Sequence, residues 1–338
     1  MKSFLSNLLW IVTTLVVSLL IIEGVSRAIY SRKLDYQIEM SRYAATLKRS
    51  SAHYEVGHEH RPSQSVHLMG VDVVTNSHGF RSAEVTLEKP EDVYRVMLLG
   101  DSLTLGWGVE VEEIFARHLE DGLRQRLTGP GRVREVQVIN TGVGNYNTDQ
   151  EVAFFEARGR AFQPDLVILN YFINDAEPTP RKKSPFLLQY SYLGMSLWGR
   201  LDLFKRLYLT QNDFSNYYPG LYEEDQAGWR RARDAMGRLA RLAEENGFGL
   251  VMFLLPELHA VGPQYGFEEI YDRVRAAALA AGVPHVFDLS PAFAREQPET
   301  LWVSMDDAHP NAKAHAILAR GMHDELDRID LSELGAGR

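Results

Sequence analysis

Five short apolar segments, alternating with longer segments of helical periodicity, constrain the fold of this chain more than any other feature. The apolar segments are Tyr94–Leu99, Val136–Ile139, Leu166–Leu169, Leu250–Leu255 and His285–Leu289. Such runs are typical of strands that are covered on both faces of a sheet. The helical segments are Glu112–Arg126, Asp149–Arg160, Ala227–Asn246, Phe267–Ala281 and Asn311–Asp327. The alternation predicts an α/β domain over residues 93–330, with a flavodoxin-like, doubly wound sheet of five parallel strands.

An uncharged segment near the N-terminus does not fit a purely soluble domain. Phe4–Ile22 is 19 residues without a charge, and as a helix it would be about 28 Å long, close to the thickness of a bilayer's hydrocarbon core. The alternative is a cleaved signal peptide, with Ser26–Ala28 as its small-x-small site. The length of the run favours an uncleaved transmembrane helix within residues 1–30, which makes the lipid bilayer an expected partner.

Composition and charge exclude several classes of function. The formal net charge of −9 argues against nucleic acid as a partner, because a phosphate binder needs a basic face. The chain has no cysteine, which removes disulfides, thiol catalysis and cysteine-ligated metals. His53, His58 and His60 lie close together, but HEH lacks the i, i+4 spacing of a zinc hydrolase helix. We expect no metal and no cofactor, and we interpret residues 31–92 as a polar juxtamembrane connector with a few short strands, in which the histidines lie on a solvated stalk.

One connection in the predicted domain is too long for a plain loop. Residues 176–226 lie between the third strand and the next helix and include a stretch rich in leucine and aromatic residues, with interspersed arginine and lysine. A structureless loop of that length is unusual. We interpret it as a helical insertion that either caps the domain or acts as a lid, a membrane-surface helix or a docking face for a membrane partner.

Polar residues follow the predicted strands at the edge where ligands bind in an open parallel sheet. The positions are Gly100–Thr104, Asn140–Asn145, Asn174–Asp175 and Asp306–Asn311. They bring a hydroxyl, a glycine-rich turn, an amide and an Asp-x-x-His pair to one rim. A serine hydroxyl needs an adjacent base, histidine titrates near neutral pH, and a carboxylate on its other nitrogen fixes the tautomer. The rim therefore predicts a serine nucleophile activated by a histidine.

The motifs GDSLT at residues 100–104 and DDAHP at residues 306–310 resemble those of the SGNH/GDSL hydrolase superfamily, and the resemblance covers the α/β domain. It implies that Ser102 is the nucleophile, that His309 is the general base, and that Asp306, in preference to Asp307, orients His309. The implied oxyanion hole consists of the backbone N–H of Ser102, a backbone N–H of Gly144 or Asn145, and the side-chain amide of Asn174.

Two positions depart from the pattern of this superfamily. Asn145 stands where the second block of the superfamily usually has a glycine, so the identity of the inward-pointing amide stays open between Gly144 and Asn145. Phe172 replaces the glycine of the third block, which would narrow the pocket beside Asn174.

The superfamily acts on acyl esters, and its membrane-anchored members work outside the cell on polysaccharides. The segment Gly79–Arg81 (GFR) resembles such anchored bacterial proteins, although Arg27, Arg32 and Lys33 after the span do not favour an external domain. We therefore expect an esterase of the bacterial inner membrane, with a periplasmic domain that removes O-acyl groups, O-acetyl above all, from an acylated saccharide. The alternatives are an O-acyltransferase that works with a multi-span membrane acyltransferase and a non-catalytic glycan-binding or scaffolding protein.

Overall fold

The computed structural model describes residues 2–30, 33–129, 133–178, 190–208, 214–305 and 307–331. The chain forms two compact units, of which the first consists of Met1–Leu47, Leu68–Gly70 and Lys182–Asn212, and the second of the remaining residues. The described strands are β1 Lys48–Ser50, β2 His58–His60, β3 Ser65–Leu68, β4 Val71–Val74, β5 Val93–Leu99, β6 Glu135–Asn140, β7 Leu166–Tyr171, β8 Gly249–Leu254, β9 His285–Asp288, β10 Trp302–Ser304 and β11 Asp307–Pro310. The described helices are α1 Lys2–Tyr30, α2 Tyr36–Thr46, α3 Ser102–Leu105, α4 Phe115–Leu127, α5 Thr148–Ala157, α6 Tyr192–Tyr208, α7 Phe214–Leu221, α8 Ala227–Asn246, α9 Glu268–Ala280 and α10 Ala312–Leu326.

The central sheet of the second unit contains five strands in the order β6-β5-β7-β8-β9. Every neighbouring pair is parallel, which confirms the predicted doubly wound fold and corresponds to the flavodoxin-like order 2-1-3-4-5. The register pairs Leu98 with Asn140 and Leu99 with Leu169. Strands β6, β5 and β7 therefore end side by side, and the residues that follow them meet at one edge of the sheet.

Helices cover both faces of this sheet, as the apolar strands require. On one face, α4 and α10 pack against β5 and β6 through residues such as Leu119, Leu123 and Leu318. On the other face, α5, α8 and α9 bury Phe155, Trp229 and Tyr271. Burial on both faces explains why the central strands β5, β7 and β8 are mostly apolar, and it makes the sheet a rigid support for the loops at its edge.

The polar connector contains short strands, as predicted, and most of it from Lys48 onwards belongs to the second unit. Strands β1 and β2 pair antiparallel, and His60 is buried with a fractional exposure of only 2%. The buried Glu59 carboxylate accepts hydrogen bonds from Arg49 at 3.0 Å and from Arg158 at 2.6 Å. Strand β2 is therefore not part of a solvated stalk, because Glu59 and His60 are buried, whereas residues 52–55 between the two strands are exposed.

The first unit combines the N-terminal helix with part of the long insertion. Ser3–Tyr30 is a helix long and apolar enough to cross a membrane, with a mean hydropathy of 2.3 over its best window. The Glu23 carboxylate accepts hydrogen bonds from Ser191 Oγ at 2.9 Å and from the backbone N–H groups of Tyr192 and Leu193 at 3.0 Å. A carboxylate at a helix N-terminus satisfies N–H groups that have no partner within the helix, so α1 fixes the start of α6.

Helix α6 confirms that the insertion is helical, at least over Tyr192–Tyr208, while residues 179–189 and 209–213 lie outside the described residues. One side of α6 faces its own unit, where Met195 is buried and Ser196 Oγ lies 3.1 Å from Tyr30 Oη. The other side exposes Leu197, Trp198 and Leu201. At positions i, i+1 and i+4 these three side chains form one apolar face.

Candidate active site

Ser102 lies where β5 ends and α3 begins. Asp101 caps the helix, because its Oδ1 accepts a hydrogen bond from the Leu103 N–H at 2.8 Å. A Cβ at Gly100 would lie 2.0 Å from Thr104 Oγ1, so only glycine allows the chain to turn this sharply. The turn holds Ser102 at the sheet edge as the first residue of the helix, with 7% exposure.

His309 connects Ser102 to a carboxylate. Its Nε2 lies 2.9 Å from Ser102 Oγ and its Nδ1 lies 2.5 Å from Asp307 Oδ1. Burial raises the pKa of Asp307, but the hydrogen bonds and charge of His309 outweigh burial and hold the pKa of that carboxyl below its usual value. An ionised carboxylate only accepts, so Nδ1 must donate and Nε2 is left to accept the proton of the Ser102 hydroxyl. This is the tautomer that a general base requires.

The carboxylate in this contact is not the one that the sequence favoured. Asp306 lies outside the described residues, so its proposed role stays a prediction, whereas Asp307 makes the described contact with His309. The reason for the contact is the strand β11, in which residues two apart project to the same face. Asp307 and His309 are two residues apart on this strand, which pairs antiparallel with β10.

Trp107 completes the support of Asp307, and the sequence analysis did not identify it. Its indole Nε1–H donates to Asp307 Oδ2 at 2.7 Å, and its ring centroid is 5.5 Å from that of His309. Gly106 and Gly108 on either side both have positive φ, at 79° and 71°. The sequence signal that was available is a tryptophan between two glycines just after the nucleophile motif. When such a tryptophan is buried, its indole N–H needs an acceptor.

Asn174 lies in the short 3₁₀ helix Ile173–Ala176 that follows β7. Its amide hydrogen-bonds the Asp101 carboxylate, although burial is the larger influence and the pKa of Asp101 is raised overall. A carboxylate accepts, so the amide donates one of its two N–H bonds there. The second N–H of the same amide can serve a substrate oxygen.

The second block contacts the turn that carries Ser102. A Cβ at Gly142 would lie only 2.4 Å from the Leu105 nitrogen, and the Val143 N–H donates to the Gly100 carbonyl at 3.2 Å. Asn145 has a φ of 64°, in the left-handed region that glycine adopts freely and asparagine tolerates better than most residues. This conformation explains how Asn145 can stand where the superfamily usually has a glycine.

A second histidine–carboxylate pair lies after β8. His259 Nδ1 is 2.6 Å from Glu257 Oε1, and its ring lies 4.6 Å from that of Trp302. The hydrogen bond that His259 donates to Glu257 is the main cause of a raised pKa for His259. Among the described residues, no group of three or more His, Asp and Glu side chains is placed to hold a metal ion.

Comparison with known proteins identifies the family. The GDSL-like lipase/acylhydrolase family model matches residues 98–317, which include Ser102, Asn174 and His309. The chain belongs to the GDSL-like lipase/acylhydrolase family. It is therefore an ester-hydrolysing enzyme.

Solved structures of low identity also resemble this family member. An acetylxylan esterase from Geobacillus stearothermophilus is 18% identical, with a TM-score of 0.43 and coverage of 70% of this chain and 95% of that one. An α/β hydrolase from the Lake Arreo metagenome is 17% identical, with a TM-score of 0.43 over 70% and 96%. A putative lipolytic protein of the G-D-S-L family from Desulfitobacterium hafniense DCB-2 is 15% identical, with a TM-score of 0.41 over 68% and 98%. None of the proteins of curated function matches the chain.

Proposed function

We propose that this enzyme is a membrane-anchored serine esterase that removes O-acyl groups, and O-acetyl groups in particular, from an extracytoplasmic polysaccharide. The observation that carries the proposal is the 2.9 Å contact between Ser102 Oγ and His309 Nε2, with Nδ1 bound to Asp307. Family membership indicates that the reacting group is an ester bond. The N-terminal apolar helix and the GFR segment at residues 79–81 support the proposal that the substrate is a glycan outside the cell.

In the proposed reaction, Ser102 Oγ attacks the ester carbonyl carbon while His309 Nε2 takes the hydroxyl proton. His309 then gives that proton to the departing sugar oxygen, which leaves an acyl group on Ser102. A water molecule, deprotonated by the same nitrogen, attacks the acyl carbonyl and releases the carboxylic acid. Asp307 stabilises the imidazolium in both halves. The N–H groups of Ser102, of Gly144 or Asn145, and of Asn174 would bind the negative oxygen of each tetrahedral intermediate.

The decisive experiment combines mass spectrometry with a substrate series. After brief incubation with p-nitrophenyl acetate and rapid acid quenching, we expect an added acetyl group on the peptide that contains Ser102 and none in Ser102→Ala protein. Acetylated polysaccharide should release acetate with the same dependence on Ser102. An acetyl group on a different residue, or acetate release that survives Ser102→Ala, would contradict the proposal.

We propose the bacterial inner membrane as the location, with the enzyme domain on the periplasmic side. Full-length protein should then remain in the membrane pellet through a carbonate wash, and protease added to spheroplasts should digest the domain. A shortened soluble product beginning near Ile29 would instead indicate a cleaved signal peptide. Protection of the domain until the membrane is lysed would place it in the cytoplasm, as the basic residues after the span would suggest.

Acyl transfer to a sugar is the second candidate, and the exposed face of α6 favours it. Leu197, Trp198 and Leu201 lie on a helix that is fixed to the end of α1, so they suit a bilayer surface or a membrane acyltransferase. A transferase should hold its acyl group on Ser102 for long periods in buffer and release it quickly when an oligosaccharide acceptor is added. Rapid release without acceptor would support the esterase and remove this candidate.

A further inference from the structure

The connector strand β1 contributes a lysine to the edge of the active site. Lys48 Nζ donates to the Gly144 carbonyl at 2.5 Å and to Asn145 Oδ1 at 2.9 Å. His58, on the paired strand β2, places its Nε2 3.2 Å from the same carbonyl. Two side chains that are far away in sequence therefore hold one peptide unit of the second block, the unit that joins Gly144 to Asn145.

The ionisation of these two side chains fits their role as donors. Burial, together with the charge of Lys48, lowers the pKa of His58 to about 3, so His58 is neutral and its Nε2 must carry the hydrogen that faces the carbonyl. Burial lowers the pKa of Lys48 to about 7. Below neutral pH, where Lys48 is protonated, the Gly144 carbonyl thus accepts one charged and one neutral hydrogen bond.

The planarity of the peptide bond gives these contacts a consequence for catalysis. In a trans peptide the C=O and the following N–H point in opposite directions. Because the Gly144 carbonyl points to Lys48 and His58, the Asn145 N–H points away from them. Residues 142–143 of the same block pack against the turn that carries Ser102. Of the two candidate donors to the oxyanion, the Gly144 N–H and the Asn145 N–H, this orientation of the peptide favours the Asn145 N–H.

Asn145 needs such support, since a left-handed backbone is strained for a residue other than glycine. The contact from Lys48 to the Asn145 side chain is one that glycine could not make. We propose that Lys48 is a positioning residue, which fixes the Gly144–Asn145 peptide so that the Asn145 N–H stabilises the tetrahedral oxyanion formed at Ser102. The inference rests on the proposed function, because it assumes the acyl-enzyme reaction at Ser102.

The test compares Lys48→Met with Lys89→Met in full-length protein, using p-nitrophenyl acetate. Lys89 also lies in the second unit, and it pairs with Asp165 away from the site. A misdirected oxyanion donor should lower kcat of Lys48→Met by about 10- to 100-fold with little change in KM, because the donor acts on the transition state. Lys48→Arg, which keeps the charge and donors, should recover most of kcat, and Lys89→Met should retain the wild-type value.

A second readout separates positioning from general structure. A boronic acid that forms a tetrahedral adduct with Ser102 should bind Lys48→Met more weakly by the same factor as kcat falls. If Lys48→Met does not fold, as judged by circular dichroism, Lys48→Gln replaces it, with a smaller expected loss of about tenfold in kcat.

The outcomes that overturn the proposal differ from those that overturn the esterase. Wild-type kcat in folded Lys48→Met, a change confined to KM, or an equal loss in Lys89→Met would each remove the positioning role while Ser102→Ala stays inactive. Activity that survives Ser102→Ala would instead remove the serine esterase itself.

Discussion

Two histidine–carboxylate pairs in this enzyme have nearly the same local geometry. In each, the carboxylate lies two residues before the histidine and accepts from its Nδ1, at 2.5 Å for Asp307–His309 and 2.6 Å for Glu257–His259. In each, the histidine's own backbone N–H also donates to that carboxylate. A carboxylate on Nδ1 is therefore a local arrangement that the chain builds twice.

The two pairs differ in what lies around them. His309 has a side-chain exposure of 14% and contacts Ser102 Oγ, whereas His259 has an exposure of 42% and lies against the indole of Trp302. Catalysis requires a nucleophile at Nε2 and restricted access to water. The comparison indicates that the nucleophile turn after β5, rather than the carboxylate–histidine pair, determines where the active site lies.

The largest expected difference between the two pairs concerns the histidines themselves. His309→Ala, like Ser102→Ala, should lower kcat/KM for p-nitrophenyl acetate by on the order of 10³-fold or more, because the nucleophile is then not activated. His259→Ala should stay within about threefold of wild type. Steady-state kinetics on folded variants checks this. Comparable losses at both histidines would mean that His259 also takes part in the reaction.

Replacing each carboxylate with its amide sharpens the comparison and decides which of the neighbouring aspartates orients His309. Asp307→Asn should lower kcat by about 10²- to 10⁴-fold, because the amide no longer fixes the required tautomer. Asp306→Asn and Glu257→Gln serve as matched controls and should retain most activity. A large loss in Asp306→Asn with little in Asp307→Asn would restore the assignment that the sequence favoured.

These residues show how much of the fold and of the site could be predicted from the sequence. The five-stranded parallel sheet and the meeting of Ser102 and His309 at its edge were predictable, because apolar runs indicate a parallel sheet and functional residues follow its strand ends. The contact of Asp307 was not, because the Asp-x-x-His pattern was read as a motif, whereas the alternation of a strand decides which side chain faces His309. Lys48 reaches Gly144 across 96 positions of sequence, and no local pattern predicts such a contact.

A smaller effect is expected from the two tryptophans, one beside each histidine. Trp107→Phe removes the N–H that donates to Asp307 Oδ2 and should lower kcat by about 3- to 30-fold, since the lost hydrogen bond leaves a buried carboxylate oxygen unsatisfied. Trp302→Phe, beside His259, should leave kcat nearly unchanged. Equal kcat in Trp107→Phe and wild type would show that the Nδ1 contact alone suffices to hold Asp307.

The smallest effect concerns the stability that the Glu257–His259 pair contributes. The hydrogen bond with Glu257 raises the pKa of His259 above its usual value of 6.5 in the folded state. A raised folded pKa means that the stabilisation is fully present below the unfolded pKa, near 6.5, and is lost as the pH rises through the folded value. Because His259 is partly exposed, solvent screening limits the effect to less than about 1 kcal/mol.

Urea unfolding of wild type and His259→Gln at pH 5.5 and pH 8.5, followed by tryptophan fluorescence, should show a larger difference in the free energy of unfolding at the lower pH. A difference that grows towards pH 8.5 would contradict this sign, and would mean that the neutral ring's packing on Trp302, rather than its charge beside Glu257, stabilises the loop after β8.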